Sequence, residues 1–446
     1  MPPRATLYWL EKFGTSQIPS DLSELIPQEM LDRLFDYQKD GVRFILEREG
    51  RALIADESGL GKTWQALTAM MAYKVDWPVL IVCPSSAKHV WQKEITKLLP
   101  EDEDRKVMTI NRYDDELPEE DEENVIVIMS YGIMTRKLNE LLEIPFKIVI
   151  FDESHKLKER KTQRSQAAIK IADAAERVIL LSATPALSRP NELWMQLRLI
   201  DDRVYPKFKQ FGDRYCEGYY NTDLEYYDSR GCSHHKELRT ILYSRFTIRR
   251  TKAKELADLP SKKRELIYLS NELIDYTERR LLEARREYIQ YLLDCEANER
   301  DINVYHASVT DYYTQTGIAK ASAVSNYIVE TYFGEAAEEE NKGKKLLVFA
   351  YHLDVLDAIQ EENEPEIRVA LLSLITGGFA LNLTAATSVI FAELYWNPTY
   401  HEQAEDRAHR IGQTERVECK YLMSEDTADE MVWSSIEAKL VVLGKV

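Results

Sequence analysis

The chain has 446 residues, of which 44% are apolar and 30% charged, a composition that predicts two or three globular domains. No apolar run approaches the roughly 18 residues of a membrane span. The N-terminus also lacks the apolar stretch of a signal peptide, and five scattered cysteines suggest no disulfide framework. The sequence therefore predicts no membrane partner and a location in the cytosol or the nucleus.

The net charge of −18 is unevenly distributed along the chain. Residues 101–123 hold twelve acids and three bases, which predicts a solvated acidic loop. Residues 156–164 carry five bases and one acid, and residues 245–254 carry five bases and no acid. Such basic runs indicate either a positive groove for nucleic acid or solvated helix faces, and the sequence leaves both open.

After an N-terminal segment, 1–33, residues 34–200 alternate short apolar strands with longer helical stretches. The strand candidates are residues 52–55, 79–83, 125–129, 147–151 and 178–182. Continuous β-branched runs are typical of parallel strands that are buried on both faces. This pattern predicts a doubly wound α/β lobe with a ligand loop after its first strand.

A glycine-rich segment follows the first of these strands and precedes a helical stretch. We expect its eight residues to line a nucleotide site: Asp56, Glu57, Ser58, Gly59, Leu60, Gly61, Lys62 and Thr63. In a strand, loop and helix arrangement, backbone N–H groups of the loop cradle phosphate. Lys62 would then bridge the β- and γ-phosphates of ATP, and the Thr63 hydroxyl would hold Mg²⁺.

A second acidic motif, Asp152 to His155, ends the apolar strand candidate at 147–151. At that place Asp152 can reach the same Mg²⁺, and Glu153 can orient the attacking water. The two motifs occur in this order, each behind an apolar strand. Together they predict an enzyme that hydrolyses ATP, with Lys62, Asp152 and Glu153 as catalytic residues.

Residues 201–340 differ from the first lobe, because strand signals fade and tyrosines abound. Within them, residues 270–300 are predicted to form a long charged helix, and the acidic residues 335–340 a loop or linker. An α/β pattern returns in residues 341–446, with strand candidates at 346–350, 369–374, 388–392 and 418–423. The predicted fold class is α/β, with two doubly wound parallel-sheet lobes and a helical insertion between them.

Residues 403–413 read Gln-Ala-Glu-Asp-Arg-Ala-His-Arg-Ile-Gly-Gln. With the two motifs above, this string resembles the Swi/Snf-like branch of the superfamily 2 DNA-dependent ATPases, over residues 34–446. The resemblance implies RecA-like lobes, with Arg407 and Arg410 as arginine fingers on the γ-phosphate and Gln38 as the adenine-reading residue. The alternative for the two arginines is a surface ion-pair network with the neighbouring Glu405 and Asp406.

Further motifs resemble the segments with which this family contacts DNA and couples hydrolysis to movement. The implied DNA contacts are Ser85, Ser86, Trp91, Ser130 and Thr376. Residues 182–185, Ser-Ala-Thr-Pro, resemble the coupling motif. Residues 391–398, Phe-Ala-Glu-Leu-Tyr-Trp-Asn-Pro, resemble the annealing-helicase or fork-remodelling group most closely.

Three departures from the family pattern bear on these expectations. Ser58 stands where the family usually has Met, and Ala380 where it usually has Gly. Residues 363–368 are all that remains of a strand-helix unit of the family, so the second lobe is expected to be abridged.

A zinc site is disfavoured by ligand spacing, although four residues suggest it: Cys216, Cys232, His234 and His235.

The leading hypothesis is an ATP-dependent translocase on double-stranded DNA that remodels or reanneals branched or fork DNA in replication stress or repair. Replication or repair proteins would be further partners. The resemblance implies a location in the nucleus for a eukaryotic protein and in the cytoplasm for a bacterial or viral one. One alternative is a chromatin or nucleoprotein remodelling ATPase. Another is a degenerate clamp that binds ATP and DNA with little turnover, because the second lobe is abridged.

Overall fold

The structure is a computed structural model, and it describes residues 17–185, 189–222, 225–274, 276, 279–298, 303, 306–335, 337–362, 368–375 and 383–443. These residues fall into two compact units, one ending at Ala257 and one beginning at Asp258. We refer to them as unit 1 and unit 2 and describe each by itself.

Unit 1 is built on a parallel sheet of seven strands within its described residues. The strands are β1 (Arg51–Ile54), β2 (Val79–Cys83), β3 (Lys106–Thr109), β4 (Val125–Ser130), β5 (Ile148–Asp152), β6 (Arg177–Leu181) and, further along, β9 (Thr247–Ile248). Their order across the sheet is β3-β4-β2-β5-β6-β1-β9. A small antiparallel hairpin pairs β7 (Tyr219–Asn221) with β8 (Tyr226–Asp228).

The central strands of this sheet are apolar except at their ends, where β4 has Ser130 and β5 has Asp152, and every residue of β2 and β4 is buried. Helices cover both faces of the sheet, which is why these strands do not alternate between polar and apolar residues. The helices of unit 1 are α1 (Gln28–Leu31), α2 (Asp36–Glu47), α3 (Lys62–Met71), α4 (Lys88–Leu98), α5 (Tyr131–Arg136), α6 (Leu138–Glu143), α7 (Gln163–Ala174), α8 (Leu193–Ile200), α9 (Phe208–Tyr215), α10 (His235–Ile241) and α11 (Lys252–Glu255).

Unit 2 contains a second parallel sheet, with five strands in the part of the chain that is described. They are β10 (Lys262–Tyr268), β11 (Leu346–Ala350), β12 (Val369–Ser373), β13 (Ser388–Phe391) and β14 (Val417–Met423), in the order β10-β14-β13-β11-β12. The helices are α12 (Arg279–Ala297), α13 (Ala307–Ala319), α14 (Ala321–Tyr332), α15 (Leu353–Glu362), α16 (Pro398–Glu405) and α17 (Ala428–Leu443). Among the described residues, no helix has the length and hydropathy that a membrane span requires.

The two parallel sheets confirm the predicted α/β fold class, but some segments differ from their predicted structure. Residues 201–340 contribute strands to both sheets: β9 extends the first sheet, and β10 pairs with β14 along its whole length. The acidic segment 101–123 contains the edge strand β3. The long helix begins only at Arg279, after a turn of 3₁₀ helix at Asn271–Leu273.

Candidate nucleotide-binding site

The glycine-rich loop lies between β1 and α3, at the carboxyl end of the first sheet. Gly59 and Gly61 have φ values of 86° and 76°, a left-handed backbone that residues with a Cβ rarely adopt. Gly61 is the N-cap of α3, so Lys62 is the first helical residue. The loop therefore directs the amino end of a helix toward the space where phosphate would bind.

Two side chains of α2 hold the loop from one side. The Gln38 Nε2 atom donates to the Leu60 carbonyl at 3.1 Å, and the Tyr37 hydroxyl donates to the same carbonyl at 3.2 Å. A Cβ atom on Gly61 would lie 2.2 Å from Gln38 Nε2, so this side chain also fits the glycine backbone closely. Gln38 thus contacts the loop itself, and its predicted contact with adenine stays a prediction.

Asp56 is fully buried and forms a hydrogen-bonded cluster with Arg250 and Gln65. Arg250 binds both carboxylate oxygens, with Nε–Oδ1 at 3.0 Å and Nη2–Oδ2 at 2.6 Å. Gln65 Nε2 donates to Oδ2 at 3.0 Å. The Asp56 side chain is therefore engaged inside the protein and anchors the loop, which differs from the direct nucleotide contact expected from the sequence.

Glu57 strengthens the same anchor. Its carboxylate accepts a hydrogen bond from the Lys252 backbone N–H at 2.8 Å, and its own N–H donates to the Arg250 carbonyl at 3.1 Å. Arg245, Arg250 and Lys252 are all buried, and burial lowers the pKa of Arg245 to about 10. For these three residues of the basic run, neither a positive groove nor a solvated helix face describes the structure.

The first two residues of α3 are Lys62 and Thr63. The Lys62 ammonium donates to the Asp56 carbonyl at 2.9 Å and to the Glu57 carbonyl at 3.3 Å. Ser58, Lys62 and Thr63 are half-buried, whereas Leu60 is completely buried. Burial raises the pKa of Asp152, and the charge of Lys62 offsets part of that increase.

Asp152 ends β5, two strands away from β1 in the sheet. Its Oδ2 atom accepts a hydrogen bond from Trp91 Nε1 at 2.9 Å, and its Oδ1 atom accepts one from the Glu153 N–H at 2.9 Å. Burial of the carboxyl raises the pKa of Asp152, and the neighbouring charge of Glu153 raises it further. A carboxylate with a raised pKa beside a phosphate loop is typical of a functional site.

Glu153 has a φ of 50°, which is a strained backbone for a residue with a side chain. Its Oε2 atom is buried, accepts no hydrogen bond from the described residues, and lies 3.3 Å from His155 Nδ1. Burial, with the charges of Lys156 and Lys158, lowers the pKa of His155 to about 3, so its ring is neutral at pH 7. The His155 ring therefore gives the Glu153 carboxylate no counter-charge at pH 7.

The acidic motif is connected to the predicted coupling motif by two hydrogen-bonded paths. His155 Nδ1 lies 3.1 Å from Ser182 Oγ, which accepts a hydrogen bond from the Thr184 N–H. Ser154 Oγ donates to Gln196 at 2.8 Å, and Gln196 in turn donates to the Pro185 carbonyl. No local sequence motif surrounds Gln196, so the sequence alone does not indicate a role for it.

These residues fit a magnesium-bound nucleoside triphosphate on two observations. Gly59 and Gly61 have positive φ, and Gly61 caps α3, so the loop makes the tight turn that presents backbone N–H groups to phosphate. The Glu153 Oε2 atom is a buried acceptor without a hydrogen-bond donor among the described residues. A hydroxyl at Thr63 and a carboxylate at Asp152 are oxygen ligands of the kind that Mg²⁺ prefers.

The residues expected to contact DNA differ in their exposure. Ser85 and Ser86 are exposed in the short turn before α4. Trp91 is only 1% exposed and Ser130 only 7%, and the Ser130 hydroxyl caps α5 by accepting from the Ile133 N–H. The predicted DNA contacts at Trp91 and Ser130 are therefore corrected, because both side chains are buried and form hydrogen bonds within the protein. Thr376 lies outside the described residues, as does Ala380.

The second-lobe motif forms α16 and the turns that follow it. Arg407 is buried and Arg410 half-buried. The Gln413 amide holds the turn together, since its Nε2 atom lies 3.0 to 3.1 Å from the carbonyls of Thr384, Ala386 and Ala408. These contacts leave the arginine-finger roles of Arg407 and Arg410 a prediction.

Glu405 and Asp406 pair with β10, which bears on the alternative of a surface ion-pair network. The Arg264 guanidinium binds both Glu405 oxygens at 2.7 and 2.6 Å, and Lys262 lies 2.7 Å from Glu405 and 3.2 Å from Asp406. Burial would raise the pKa of Glu405, but Arg264 and Lys262 lower it to about 2. Both carboxylates are therefore engaged by cations of β10.

The residues that suggested zinc do not form a metal site. In the described part of the chain, no group of three or more His, Cys, Asp or Glu side chains could hold a metal ion. Cys216 is buried, and burial raises its pKa to about 12. Cys232 is exposed, and His234 Nδ1 lies 2.9 Å from the Arg214 carbonyl.

Comparisons with known proteins place this chain among a large group of relatives. A family model described as the SNF2-related domain matches residues 37–281. The Caenorhabditis elegans protein named SWI/SNF-related matrix-associated actin-dependent regulator of chromatin subfamily A-like protein 1 homolog is 41% identical, over 98% of this chain and 65% of its own length. The Homo sapiens protein named DNA annealing helicase and endonuclease ZRANB3 is 35% identical, over 95% of this chain and 41% of its own length.

A solved structure, the Sulfolobus solfataricus SWI2/SNF2 ATPase core domain, is 21% identical over 97% of this chain and 94% of that chain, with a TM-score of 0.47. The present chain thus spans between 41% and 65% of the length of the two relatives named above.

Proposed function

Because the chain belongs to the SNF2-related family, we propose that it is a DNA-dependent ATPase that moves along double-stranded DNA and remodels or reanneals fork-like DNA. The observation that carries this proposal is the meeting of two motifs at one sheet edge. The phosphate loop follows β1, and Asp152 and Glu153 end β5 of the same sheet. The name of a human relative, DNA annealing helicase, supports the finer assignment to fork DNA.

Each catalytic residue has a role in this proposal that its surroundings support. Thr63 and Asp152 would hold Mg²⁺, and this ion would neutralise negative charge on the transferred phosphoryl group. Lys62 binds the phosphates, and the Glu153 carboxylate orients the attacking water. Phosphoryl transfer is catalysed mainly by positioning and charge, so a rigidly anchored loop suits it.

Arg407 and Arg410 of unit 2 are proposed to supply the positive charge that stabilises the transition state. An arginine in this role raises the rate by about 10³- to 10⁵-fold in related chemistry. Glu405 and Asp406 have cationic partners in β10, Lys262 and Arg264. The catalytic role is supported by the resemblance of residues 403–413 to the family motif that contains the arginine fingers.

Two other functions follow from particular observations. A chromatin or nucleoprotein remodelling ATPase is suggested by the name of the C. elegans relative. A clamp with little turnover is suggested by the short connection between α15 and β12. The intact acidic motif and phosphate loop favour turnover over a passive clamp. A nuclear location and replication or repair proteins as partners belong to the same proposal.

The test is steady-state ATP hydrolysis with no nucleic acid, duplex DNA, forked DNA, single strands, nucleosomes and RNA. We expect the largest stimulation with forked or duplex DNA, and its loss in Lys62→Ala and Arg410→Ala. Lys74→Ala and the exposed Arg416→Ala are the matched controls and should keep full activity. Stronger stimulation by nucleosomes would favour chromatin remodelling, and DNA binding without stimulated turnover would favour the clamp.

A further inference from the structure

Both segments of unit 1 that the sequence predicts to contact DNA place an aromatic side chain on Asp152. Trp91 in α4 donates its indole N–H to Asp152 Oδ2 at 2.9 Å. Tyr131, the first residue of α5, donates its hydroxyl to the Asp152 carbonyl at 2.7 Å. The two aromatic residues are 1% and 3% exposed, so these hydrogen bonds are shielded from water. No role in nucleotide hydrolysis was expected of either residue.

The two hydrogen bonds to the Asp152 carboxylate determine its orientation. Trp91 holds Oδ2, and the Glu153 N–H holds Oδ1. Donors on both oxygens fix the rotation of the carboxylate about its Cβ–Cγ bond. Tyr131 holds the backbone of the same residue, so its effect on the carboxylate is less direct. Of the two aromatic residues, Trp91 therefore controls the atoms that would face a cation.

An indole suits this task because it orients a carboxylate without neutralising it. Indole N–H is a donor only and has no charge, whereas Lys or Arg at this place would compete with a metal ion for the carboxylate. Asp56 shows the contrast within the same site. Its carboxylate is bound in bidentate fashion by Arg250 and is used to anchor the loop.

The position of Trp91 also connects Asp152 to the surface. Ser85 and Ser86 are exposed in a 3₁₀ turn that ends at Ala87, and α4 begins at the next residue, Lys88. Trp91 lies one turn into α4. A displacement of this turn by a bound DNA strand would therefore move the indole N–H relative to β5, which carries Asp152.

We propose that Trp91 is a positioning residue that sets the Asp152 carboxylate for Mg²⁺ and transmits DNA contact at Ser85 and Ser86 to that carboxylate. The proposal rests on the function proposed above, since it assigns Asp152 to the metal of the same ATPase site. It adds a physical route by which bound DNA changes the rate of hydrolysis. Loss of a hydrogen bond to a metal ligand typically weakens metal binding by about 10- to 100-fold.

The first experiment measures metal binding without turnover. Mn²⁺ is titrated into the full chain with ADP, with no DNA present, and bound Mn²⁺ is followed by electron paramagnetic resonance. We expect Trp91→Phe to weaken Mn²⁺ binding by about 10- to 100-fold. The control is Trp77→Phe, which removes a buried indole donor to the Met70 carbonyl and should bind Mn²⁺ as the parent does. Equal Mn²⁺ affinity in Trp91→Phe and the parent would overturn the proposal.

A second variant separates the hydrogen bond from packing. Replacing the Trp91 indole by benzothiophene, through a non-natural amino acid, removes the N–H and keeps the bicyclic shape. We expect this variant to keep the melting temperature of the parent and to lose Mn²⁺ affinity as Trp91→Phe does. If its Mn²⁺ affinity matches the parent, the effect of Trp91→Phe comes from packing and the positioning role is wrong.

The second experiment tests transmission from DNA. The Mg²⁺ concentration for half-maximal ATP hydrolysis is measured with and without duplex DNA. In the parent we expect DNA to lower this concentration, and in Trp91→Phe we expect no change with DNA. An equal decrease in both proteins would overturn transmission. A parent that DNA does not stimulate at all would instead contradict the proposed function, and the Mn²⁺ titration would still decide the role of Trp91 at the metal.

Discussion

Asp152 in unit 1 and two buried carboxylates of unit 2, Glu405 and Asp429, are held by different kinds of partner. In unit 1, Asp152 receives hydrogen bonds from an indole and a backbone N–H, both neutral. In unit 2, Glu405 is bound by Arg264 and Lys262, and Asp429 is bound by Lys320 at 2.7 Å. Neutral donors do not compensate the negative charge of a carboxylate. A carboxylate of this kind therefore remains available to a metal ion. The partner therefore distinguishes a functional carboxylate from a structural one.

The free energy of burying a charge separates the same two kinds of carboxylate. A buried charge is costly unless it is paired, and removing one partner of a buried pair typically destabilises by about 3–5 kcal/mol. The pairs of unit 2 should therefore dominate stability. Asp152, whose pKa is raised by burial, should instead destabilise the fold at neutral pH and contribute to activity. Asp56 lies at the nucleotide site but belongs with the structural group, because Arg250 binds it.

The largest expected effect is on activity, from Asp152→Asn. We expect DNA-stimulated ATP hydrolysis to fall by about 10³- to 10⁴-fold, because an amide is a poor Mg²⁺ ligand. The free energy of unfolding should change by less than about 1 kcal/mol, since relief of the buried charge offsets a lost hydrogen bond. Steady-state hydrolysis and urea unfolding measure the two quantities. A large loss of stability would place Asp152 with the structural carboxylates.

Breaking the pair between Lys320 and Asp429 should have the largest effect on stability. Both side chains are 1% exposed, and Lys320 also donates to the Leu422 carbonyl. We expect Lys320→Met to lower the unfolding free energy of unit 2 by about 3–5 kcal/mol in urea. The matched control is Lys209→Ala, which removes an exposed pair with Asp213 and should cost less than about 0.5 kcal/mol. Similar losses in both variants would contradict the comparison.

Glu405 should make unit 2 sensitive to acid. Its pKa is lowered to about 2 by Arg264 and Lys262, against the raising effect of burial, from an ordinary value of 4.5. A carboxyl with a lowered pKa stabilises the fold above pH 4.5, and this contribution is lost as the pH falls toward 2. We expect on the order of 3 kcal/mol to be lost over that range.

Urea unfolding of the parent and Glu405→Gln at a series of pH values measures this contribution. The difference between the two proteins should be largest near pH 6 and shrink as the pH falls. Glu430→Gln, at an exposed carboxyl, is the control and should follow the parent. A difference that does not depend on pH would show that packing rather than charge determines the effect of Glu405.

The smallest expected effect comes from Arg250→Lys in unit 1. Lys keeps a positive charge near Asp56 but cannot bind both carboxylate oxygens as the guanidinium does. We expect a loss of about 1–2 kcal/mol in the unfolding free energy of unit 1 and weaker ATP binding through a loosened loop. Urea unfolding and equilibrium binding of a fluorescent ATP analogue check both effects. Unchanged ATP binding would show that the anchor does not act on the nucleotide.

Much of the fold was predictable because its strands are local apolar runs. All nine predicted strands are present with ends within one residue of the prediction. Of the five strands that were not predicted, the hairpin strands β7 and β8 have three residues each, and the other three lack such a run. β9 has only two residues, β3 is a partly exposed edge strand, and β10 is an edge strand with the charged residues Lys262, Lys263, Arg264 and Glu265. Pairing with a neighbour, rather than local propensity, makes these segments strands.

The site was predictable where a local sequence motif defines it. The glycine-rich loop and the acidic motif could be read from their order and their flanking strands, because a phosphate cradle needs that local sequence. Arg250 could have been suspected from a basic run that contains no acid, since cations that are buried need a counter-charge elsewhere. Nothing near Trp91 in the sequence indicates that its indole reaches Asp152.

The sequence by itself therefore determined nine of the strands, the phosphate loop and the acidic motif, since each depends on residues close together in the chain. Only the tertiary structure decided which partner each buried carboxylate has. Trp91 and Asp152 are 61 residues apart, and Asp56 and Arg250 are 194 residues apart. Packing of the sheet and its helices brings these pairs together. Whether a carboxylate anchors the fold or stays available for chemistry is set by that packing, because the cost of a buried charge depends on its nearest donor.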